Sequence, residues 1–145
     1  PFKNELFCAE KGKGALMNEK KIRVAKSTSI KSAVFGTGIP YRKKDHSGVY
    51  IETLRTLMDV RCGSIRRLGA AALDLSYVAS GRLDGFWEFN LRPWDIAAGS
   101  IIVSEAGGHI SDINGTDNYF ETGNVLAANI NLHEDVINKL QEKLL

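Results

Sequence analysis

Hydrophobic and polar positions along the chain follow two periods, and each period predicts one kind of element. Short apolar runs bounded by glycine or polar clusters predict strands, whereas apolar residues three or four positions apart predict helices. Leu73, Tyr77 and Val78, for example, form the expected apolar side of one helix. The predicted strands are 5–10, 15–17, 22–24, 33–35, 64–68, 82–89, a short strand within 109–115, and 124–129; the predicted helices are 50–60, 69–81, 94–106 and 133–144.

The order of these elements divides the chain into two parts. The first 25 residues are typical of antiparallel hairpins, and the polar stretch KSTSIKS at 26–32 separates them from the rest of the chain. From Ala33 onward strands and helices alternate, which is typical of an α/β layered sandwich. We therefore predict the last hairpins of a sheet lobe at residues 1–29 and an α/β lobe at residues 30–145.

Composition and charge favour a globular lobe over a nucleic-acid binder. The chain has 145 residues, 43% of them hydrophobic and 25% charged, so it can build a real core. The formal net charge is only +2 and no basic stripe stands out, so direct contact with nucleic acid is not expected. Lys and Arg are densest at 11–23, where Glu19 interrupts them. We interpret that segment as the solvated surface of a hairpin, with an anion site as the alternative.

Cysteines, histidines and apolar runs exclude other classes. Cys8 and Cys62 lack metal-ligand spacing and indicate thiols in a reducing, cytoplasmic setting. The three histidines, His46, His109 and His133, are far apart in sequence and are not expected to cluster, so no histidine metal site is predicted. No apolar run approaches the roughly 20 residues that span a bilayer, and no membrane partner is expected.

Three glycine-rich or small-residue stretches indicate where a ligand could bind. They are GTG at 36–38, GAAA at 69–72 and DIAAG at 95–99. The second and third open predicted helices, whose first backbone N–H groups have no partner within the helix and favour phosphate. Small side chains let a ligand approach the backbone closely. The alternative is that they only allow tight packing of helix on sheet.

Two carboxylates lie beside these openings. Glu88 ends a predicted strand and Asp95 opens the next helix seven residues later, so a strand–turn–helix path can bring both to one cleft. Carboxylate oxygens are ligands that Mg²⁺ prefers, and Asp95 is also suited to capping its helix. The remaining acidic residues of this region are assigned structural roles in turns, loops or a helix: Asp84, Glu105, Asp112 and Asp117.

Longer segments carry a family resemblance. PWDIAAGSIIVSEAGGHISD at 93–112 closely resembles the second signature of the inositol monophosphatase family, in which W-D precedes small residues, an apolar helix and E-A-G-G. RRLGAAALDLSYVASGRLDGFWEFNLRPWD resembles the preceding segment of bacterial members of the extragenic-suppressor type. ELFCAEKGKGALMNEKKIRV resembles the hairpin that closes the family's first lobe, and GTGIPY resembles the loop at the domain junction. The resemblance covers essentially the whole chain.

The resemblance implies a two-lobed α/β sandwich with a Mg²⁺-dependent, lithium-sensitive phosphomonoesterase activity. The implied substrate is a phosphorylated polyol, myo-inositol monophosphate, and the implied assembly is a homodimer. Asp95 would be the metal ligand and catalytic carboxylate and would also lie near the substrate, while Glu88 would hydrogen-bond inositol hydroxyls. The substrate pocket would also be lined by Thr37, Gly38, Gly69, Ala70 and Ala71.

Two departures from the family pattern limit what the resemblance implies. Ala70 stands where members often carry Thr or Ser, so fructose 1,6-bisphosphate, 3′-phosphoadenosine 5′-phosphate and histidinol phosphate remain alternative substrates. The first family signature, D-P-[IL]-D-G-T-x-N-[FY], and the upstream G-E-E are absent from the chain, and these supply most metal carboxylates. We therefore expect the C-terminal portion of a longer enzyme, inactive without its N-terminal lobe or a partner fragment. A regulatory role in RNA metabolism through a protein partner is the alternative from another class.

Overall fold

The computed structural model describes residues 2–40 and 47–144 and contains two β-sheets. Tyr41, the last residue of GTGIPY, and His46 lie outside the described residues. The strands are β1 Phe7–Glu10, β2 Gly14–Met17, β3 Lys20–Lys21, β4 Val34–Thr37, β5 Ser64–Arg66, β6 Gly85–Glu88, β7 Gly108–Ser111 and β8 Val125–Asn129. The helices are α1 Ser47–Asp59, α2 Ala71–Ala79, α3 Pro93–Glu105, α4 Tyr119–Thr122 and α5 Ile130–Leu144, with a 3-10 turn at Ile30–Ser32.

The larger sheet has the strand order β5-β4-β6-β8-β7. β4 runs parallel to both β5 and β6, whereas β8 is antiparallel to β6 and β7. Parallel strands that are neighbours in a sheet end at the same edge, and ligands bind at that edge in many α/β proteins. The carboxyl ends of β4, β5 and β6 therefore define one edge where loops and helix starts converge.

Alternate residues of the central strands point to opposite faces of the larger sheet. In β6, Phe86 packs into the core shared with α2 and α3, while Trp87 packs with Tyr50 of α1 and with residues of α5. The three-stranded sheet β1-β2-β3 adds Ala15 to the first of these cores from its far side. The layers are therefore small sheet, α2 with α3, large sheet, and α1 with α5, which confirms the predicted α/β layered sandwich.

The third strand begins earlier than predicted. The sequence predicts a strand at 22–24, but β3 precedes it because Asn18 (φ 48°) and Glu19 (φ 65°) both adopt left-handed conformations. Two such residues close a tight two-residue hairpin turn, so the return strand starts at once. The Val24 N–H instead donates to the carbonyl of Ala106, 3.2 Å away, at the end of α3.

The buried side of α2 also differs from the predicted one. Leu73 is 48% exposed and Leu75 is fully buried, whereas Val78 is fully buried as predicted. α2 packs against α3 and also against the large sheet, so Asp74 is buried as well, at 1% exposure. A helix that packs on more than one side buries residues that a single apolar stripe leaves out.

Two of the histidines do cluster, which corrects the expectation that they would not. The rings of His109 on β7 and His133 on α5 meet edge to face, with centroids 4.5 Å apart. The Nε2 atom of His133 lies 2.8 Å from the Ser111 hydroxyl, and both side chains are buried. Distance along the sequence could not show this contact because β7 and α5 are brought together by the sheet.

We expect acidification to destabilise the fold through His133. Burial first, and then the neighbouring His109, together lower the pKa of His133 to about 4. The unfolded chain binds that proton near pH 6.5, so the stabilising contribution is complete above this pH. It is lost progressively as the pH falls from about 6.5 to about 4, by about 3 kcal/mol in all. Urea denaturation of the wild type and His133→Asn between about pH 7 and pH 4 measures this loss.

The His133→Asn variant keeps a polar group beside Ser111 but cannot titrate. Titratable groups away from this contact contribute equally to both proteins, so the difference between the two curves isolates His133 together with its interaction with His109. That difference in unfolding free energy should shrink on acidification; curves that stay parallel would contradict the assignment.

Candidate functional site

A cleft of about 460 Å³ lies at the carboxyl edge of the large sheet. It opens between the end of β4, the start of α2, the end of β6 and the start of α3. The structure thus brings together stretches that the sequence separates by almost sixty residues. Six of the predicted site residues line it: Gly38, Gly69, Ala70, Ala71, Glu88 and Asp95.

Thr37 is the predicted site residue that does not line the cleft. Its side chain is buried, at 3% exposure, and its hydroxyl donates to the carbonyl of Gly38, 3.4 Å away. Thr37 therefore lies beneath the cleft wall, and Gly38 forms the wall itself.

Gly38 leaves the space that the Glu88 side chain occupies. Thr37 pairs with Trp87 in the parallel register of β4 and β6, so the next residues, Gly38 and Glu88, are also neighbours. A Cβ atom at position 38 would coincide with the Glu88 carboxylate. Glycine is needed here for space, and any larger residue would push the carboxylate out of its place.

The electrostatic environment of Glu88 keeps it close to half-protonated at neutral pH. Burial first, and then the negative charges of Asp74 and Asp95, together raise the pKa of Glu88 to about 7, although Arg67 acts in the opposite direction. A carboxyl group in this state can accept a hydrogen bond from a ligand hydroxyl or donate one. That behaviour suits the recognition of a hydroxylated ligand.

Sequence reasoning missed Asp74, which lies beneath the same site. It is almost fully buried, and neither carboxylate oxygen has a hydrogen bond of good geometry. Burial raises the pKa of Asp74 to about 6, while the nearby backbone N–H of Ala70 lowers it slightly. Its Oδ1 atom lies 3.2 Å from the position that a Cβ would take at Gly36. The sequence signal that could have identified Asp74 is its position between Leu73 and Leu75 in a predicted helix.

Asp95 is the third residue of α3 and caps the helix by reaching back. Its Oδ2 atom accepts a hydrogen bond from the backbone N–H of Arg92, 2.9 Å away. The expected capping role is therefore present, but from the first turn rather than from the residue before it. The other oxygen, Oδ1, takes no part in this bond, and Asp95 lines the cleft.

The starts of two helices make the cleft attractive to anions. α2 begins at Ala71 and α3 begins at Pro93, both at the cleft. Unpaired N–H groups and the helix dipole favour negative charge at such ends. Arg67 and Arg92 also line the cleft and add two positive charges. A phosphate beside the hydrogen-bonding carboxyl group of Glu88 fits this arrangement.

The described residues supply only part of a metal site. Asp95 fits as one Mg²⁺ ligand because its Oδ1 oxygen is a hard donor at the cleft. Within residues 2–40 and 47–144, no group of three or more His, Cys, Asp or Glu side chains is placed to hold an ion. An octahedral Mg²⁺ at Asp95 would need further oxygen ligands from another part of the protein, from ligand phosphate and from water.

Three of the other acidic residues, Asp84, Asp112 and Glu105, take structural roles, as the sequence analysis predicts. Asp84 accepts the Val34 N–H at 2.8 Å, and Asp112 accepts the N–H groups of Asn114 and Thr116 at 2.9 Å each. Glu105 accepts two backbone N–H groups of the first hairpin turn. The basic segment at 11–23 therefore meets a carboxylate of its own chain.

Helices of the described chain are too short and too polar to cross a membrane.

Comparison with known proteins identifies a matching family and several similar proteins. The family model for the inositol monophosphatase family matches residues 1–145. The Nus factor SuhB of Escherichia coli (strain K12) is 42% identical over 144 residues, covering 99% of this chain and 54% of that protein. The inositol-1-monophosphatase of Mesorhizobium japonicum is 45% identical over 129 residues, covering 89% of this chain and 48% of that protein.

A solved structure agrees with the fold described above. The extragenic suppressor protein suhB from Bartonella henselae has a TM-score of 0.92 and 42% identity, covering 98% of this chain and 54% of that one. The chain thus spans about half the length of the curated relatives it matches.

Proposed function

Because this chain belongs to the inositol monophosphatase family, we propose that it is the C-terminal part of a Mg²⁺-dependent phosphomonoesterase that hydrolyses myo-inositol monophosphate. One observation carries the proposal: Glu88 and Asp95 lie in one cleft with the starts of α2 and α3. That cleft offers a place for a phosphate, for hydroxyl groups and for one metal ligand together.

Each part of the cleft then has a distinct task. The N–H groups at the start of α2 and the arginines of the cleft bind and orient the phosphate. Glu88 accepts or donates hydrogen bonds to ring hydroxyls, and its position is fixed by the space that Gly38 leaves. Asp95, whose Oδ2 atom caps α3, would be one of the residues that hold Mg²⁺. When bound, Mg²⁺ neutralises phosphate charge and lowers the pKa of a coordinated water.

The length of the chain supports a division of the site between two segments. Its relatives are about twice as long, and the described residues provide no complete metal cluster. We propose that the remaining carboxylates come from an N-terminal segment of the same protein, so residues 1–145 alone would show no hydrolysis.

A substrate panel with the full-length protein tests the proposed reaction. Phosphate release should require Mg²⁺, stop with a chelator, and be fastest with inositol 1-phosphate when compared with fructose 1,6-bisphosphate, 3′-phosphoadenosine 5′-phosphate and histidinol phosphate. A clear preference for one of the other three would reassign the substrate but keep the reaction. No Mg²⁺-dependent release from any of them would reject the proposal.

The Gly38→Ala variant tests whether Glu88 recognises hydroxyls in that panel. The added methyl displaces the Glu88 carboxylate, and losing hydrogen bonds to a charged group costs about tenfold or more in affinity. KM for inositol 1-phosphate should rise about tenfold, and much less for p-nitrophenyl phosphate, which has no ring hydroxyls. Gly48→Ala is the matched control, because a Cβ there contacts none of the residues that the structure describes. Equal effects of Gly38→Ala on both substrates would contradict the role of Glu88.

A regulatory function is the second candidate. The name of the Escherichia coli relative, a Nus factor, favours it. If regulation through a protein partner is the main function, it should survive loss of the proposed metal ligand, whereas hydrolysis should not.

A further inference from the structure

Helix α3 connects the cleft to the small sheet. Asp95 lies in its first turn, and Glu105 is its last residue, ten positions later. At 1.5 Å per residue, the two carboxylates are about 15 Å apart along the helix axis. Whatever fixes the Glu105 end of this rigid element also fixes the direction in which Asp95 faces.

The turn between β1 and β2 holds the Glu105 carboxylate at two points. Oε1 accepts the N–H of Gly12 and Oε2 accepts the N–H of Gly14, both at 2.8 Å. Gly12 (φ 80°) and Gly14 (φ 88°) adopt left-handed conformations, which turn both N–H groups toward the same side. Such a concave pair of backbone N–H groups is a site for an anion. These bonds lower the pKa of Glu105 and keep it ionised.

The segment after β3 holds the same end of α3 through its backbone. Arg23 donates from Nη1 to the Glu105 carbonyl at 3.4 Å, and the Val24 N–H donates to the Ala106 carbonyl at 3.2 Å. The last turn of α3 is therefore bonded to the small sheet and its exit segment through four hydrogen bonds. We call this set of contacts, made by Gly12, Gly14, Arg23 and Val24 with Glu105 and Ala106, the α3 clamp.

The other contacts of α3 are mostly apolar. Gly99 lies against Leu75 of α2, and Ile102 and Val103 are buried in the core below the small sheet. Apolar packing is not directional, so on its own it leaves a helix some freedom to rotate or slide. Hydrogen bonds to an ionised carboxylate are directional and stronger than neutral ones. The α3 clamp therefore sets the rotation and axial position of the helix.

We propose that Glu105 is a positioning residue for the metal site, acting through α3 on Asp95. This inference rests on the proposed function, because it takes Asp95 to be a Mg²⁺ ligand. An N-terminal segment that supplies further ligands would lead directly into β1 of the small sheet, while Asp95 is carried by α3. The α3 clamp joins the small sheet to α3 and so fixes the position of Asp95 relative to ligands from the N-terminal segment.

Magnesium binding to the full-length protein without substrate tests this proposal. In Glu105→Gln the side chain keeps its shape but loses its charge and one acceptor oxygen. We expect the Mg²⁺ dissociation constant, measured by titration calorimetry, to rise about fivefold. KM for substrate at saturating Mg²⁺ should stay within about twofold. Glu142→Gln, which removes an exposed carboxylate paired with Lys139, is the control for charge.

A second pair of variants tests the partner of Glu105. Gly12→Ala and Gly115→Ala impose the same backbone strain, because both glycines have φ of 80° to 83°. Of these two glycines, Gly12 and not Gly115 donates a hydrogen bond to Glu105. Weaker Mg²⁺ binding in Gly12→Ala, with unchanged binding in Gly115→Ala, would support the proposal.

The two kinds of failure can be told apart. If Glu105→Gln lowers the melting temperature but leaves the Mg²⁺ dissociation constant unchanged, Glu105 is only structural and the inference is wrong. If the wild-type protein binds no Mg²⁺, the proposed function fails and the inference fails with it.

Discussion

Asp95→Asn is expected to lower kcat of the full-length protein about a thousandfold. A neutral amide is a poor ligand for Mg²⁺, and losing the charge stabilisation that the ion supplies costs about 4 kcal/mol in the transition state. The fold should hardly change, since the amide oxygen can still accept the Arg92 N–H at the start of α3. A steady-state assay with Mg²⁺ titration, together with a thermal melt, measures both effects.

Asp117→Asn provides the matched control for this substitution. Asp117 is an exposed residue in the turn before α4, and the same change of charge there should leave kcat within about twofold. A loss of less than tenfold in Asp95→Asn would contradict the assignment of Asp95 as a metal ligand. If a regulatory effect in cells persists in Asp95→Asn while hydrolysis is lost, the protein has two separable functions.

Gly99→Val is expected to give the largest loss of stability among single substitutions in α3. A Cβ at position 99 would lie 2.5 Å from Cδ1 and 2.6 Å from Cβ of Leu75, so α2 and α3 must move apart. Overpacking of this kind costs about 2–3 kcal/mol, which lowers the melting temperature by roughly 4–10 °C. Calorimetric melting of the two proteins measures the change.

This loss of stability should come from the clash with Leu75 and not from replacing a glycine in a helix as such. Gly48→Ala is the control, because Gly48 is in α1 and a Cβ there meets no atom of the described residues. That change should raise stability by up to about 1 kcal/mol through helix propensity. If Gly99→Val melts within a degree or two of the wild type, the close contact between α2 and α3 is not required by the fold.

The sequence predicts the alternation of strands and helices well because each element has one dominant period. β4, β6 and β8 are short apolar runs ended by glycine or polar residues, and α5 has an apolar side that includes Val136 and Leu140. That Glu88 and Asp95 lie in one cleft is likewise predictable, because strand, turn and helix follow one another without interruption. Local sequence is enough where neighbours in the chain are neighbours in space.

The features that the sequence could not predict depend on contacts between distant segments. Asp74 is buried because α2 packs on two sides, and the apolar pattern of one helix does not contain its neighbours. The contact of His109 with His133 depends on where β7 and α5 meet. The bonds from Gly12 and Gly14 to Glu105 join residues more than ninety positions apart. Such contacts exist only once the layers have assembled.

Gly36 and Gly38, at the end of β4, cannot be replaced by larger residues without displacing neighbouring side chains. Side chains from other elements fill the space beside Gly36 and Gly38: Asp74 and Leu83 at the first, Glu88 at the second. Neither glycine has a side chain to remove, so a search for important residues by truncation to alanine would enlarge both positions instead. A single added methyl at either position instead presses on an acidic side chain, Asp74 beside Gly36 and Glu88 beside Gly38. Positions 36 and 38 must therefore remain without side chains of their own, because side chains from other elements occupy that volume.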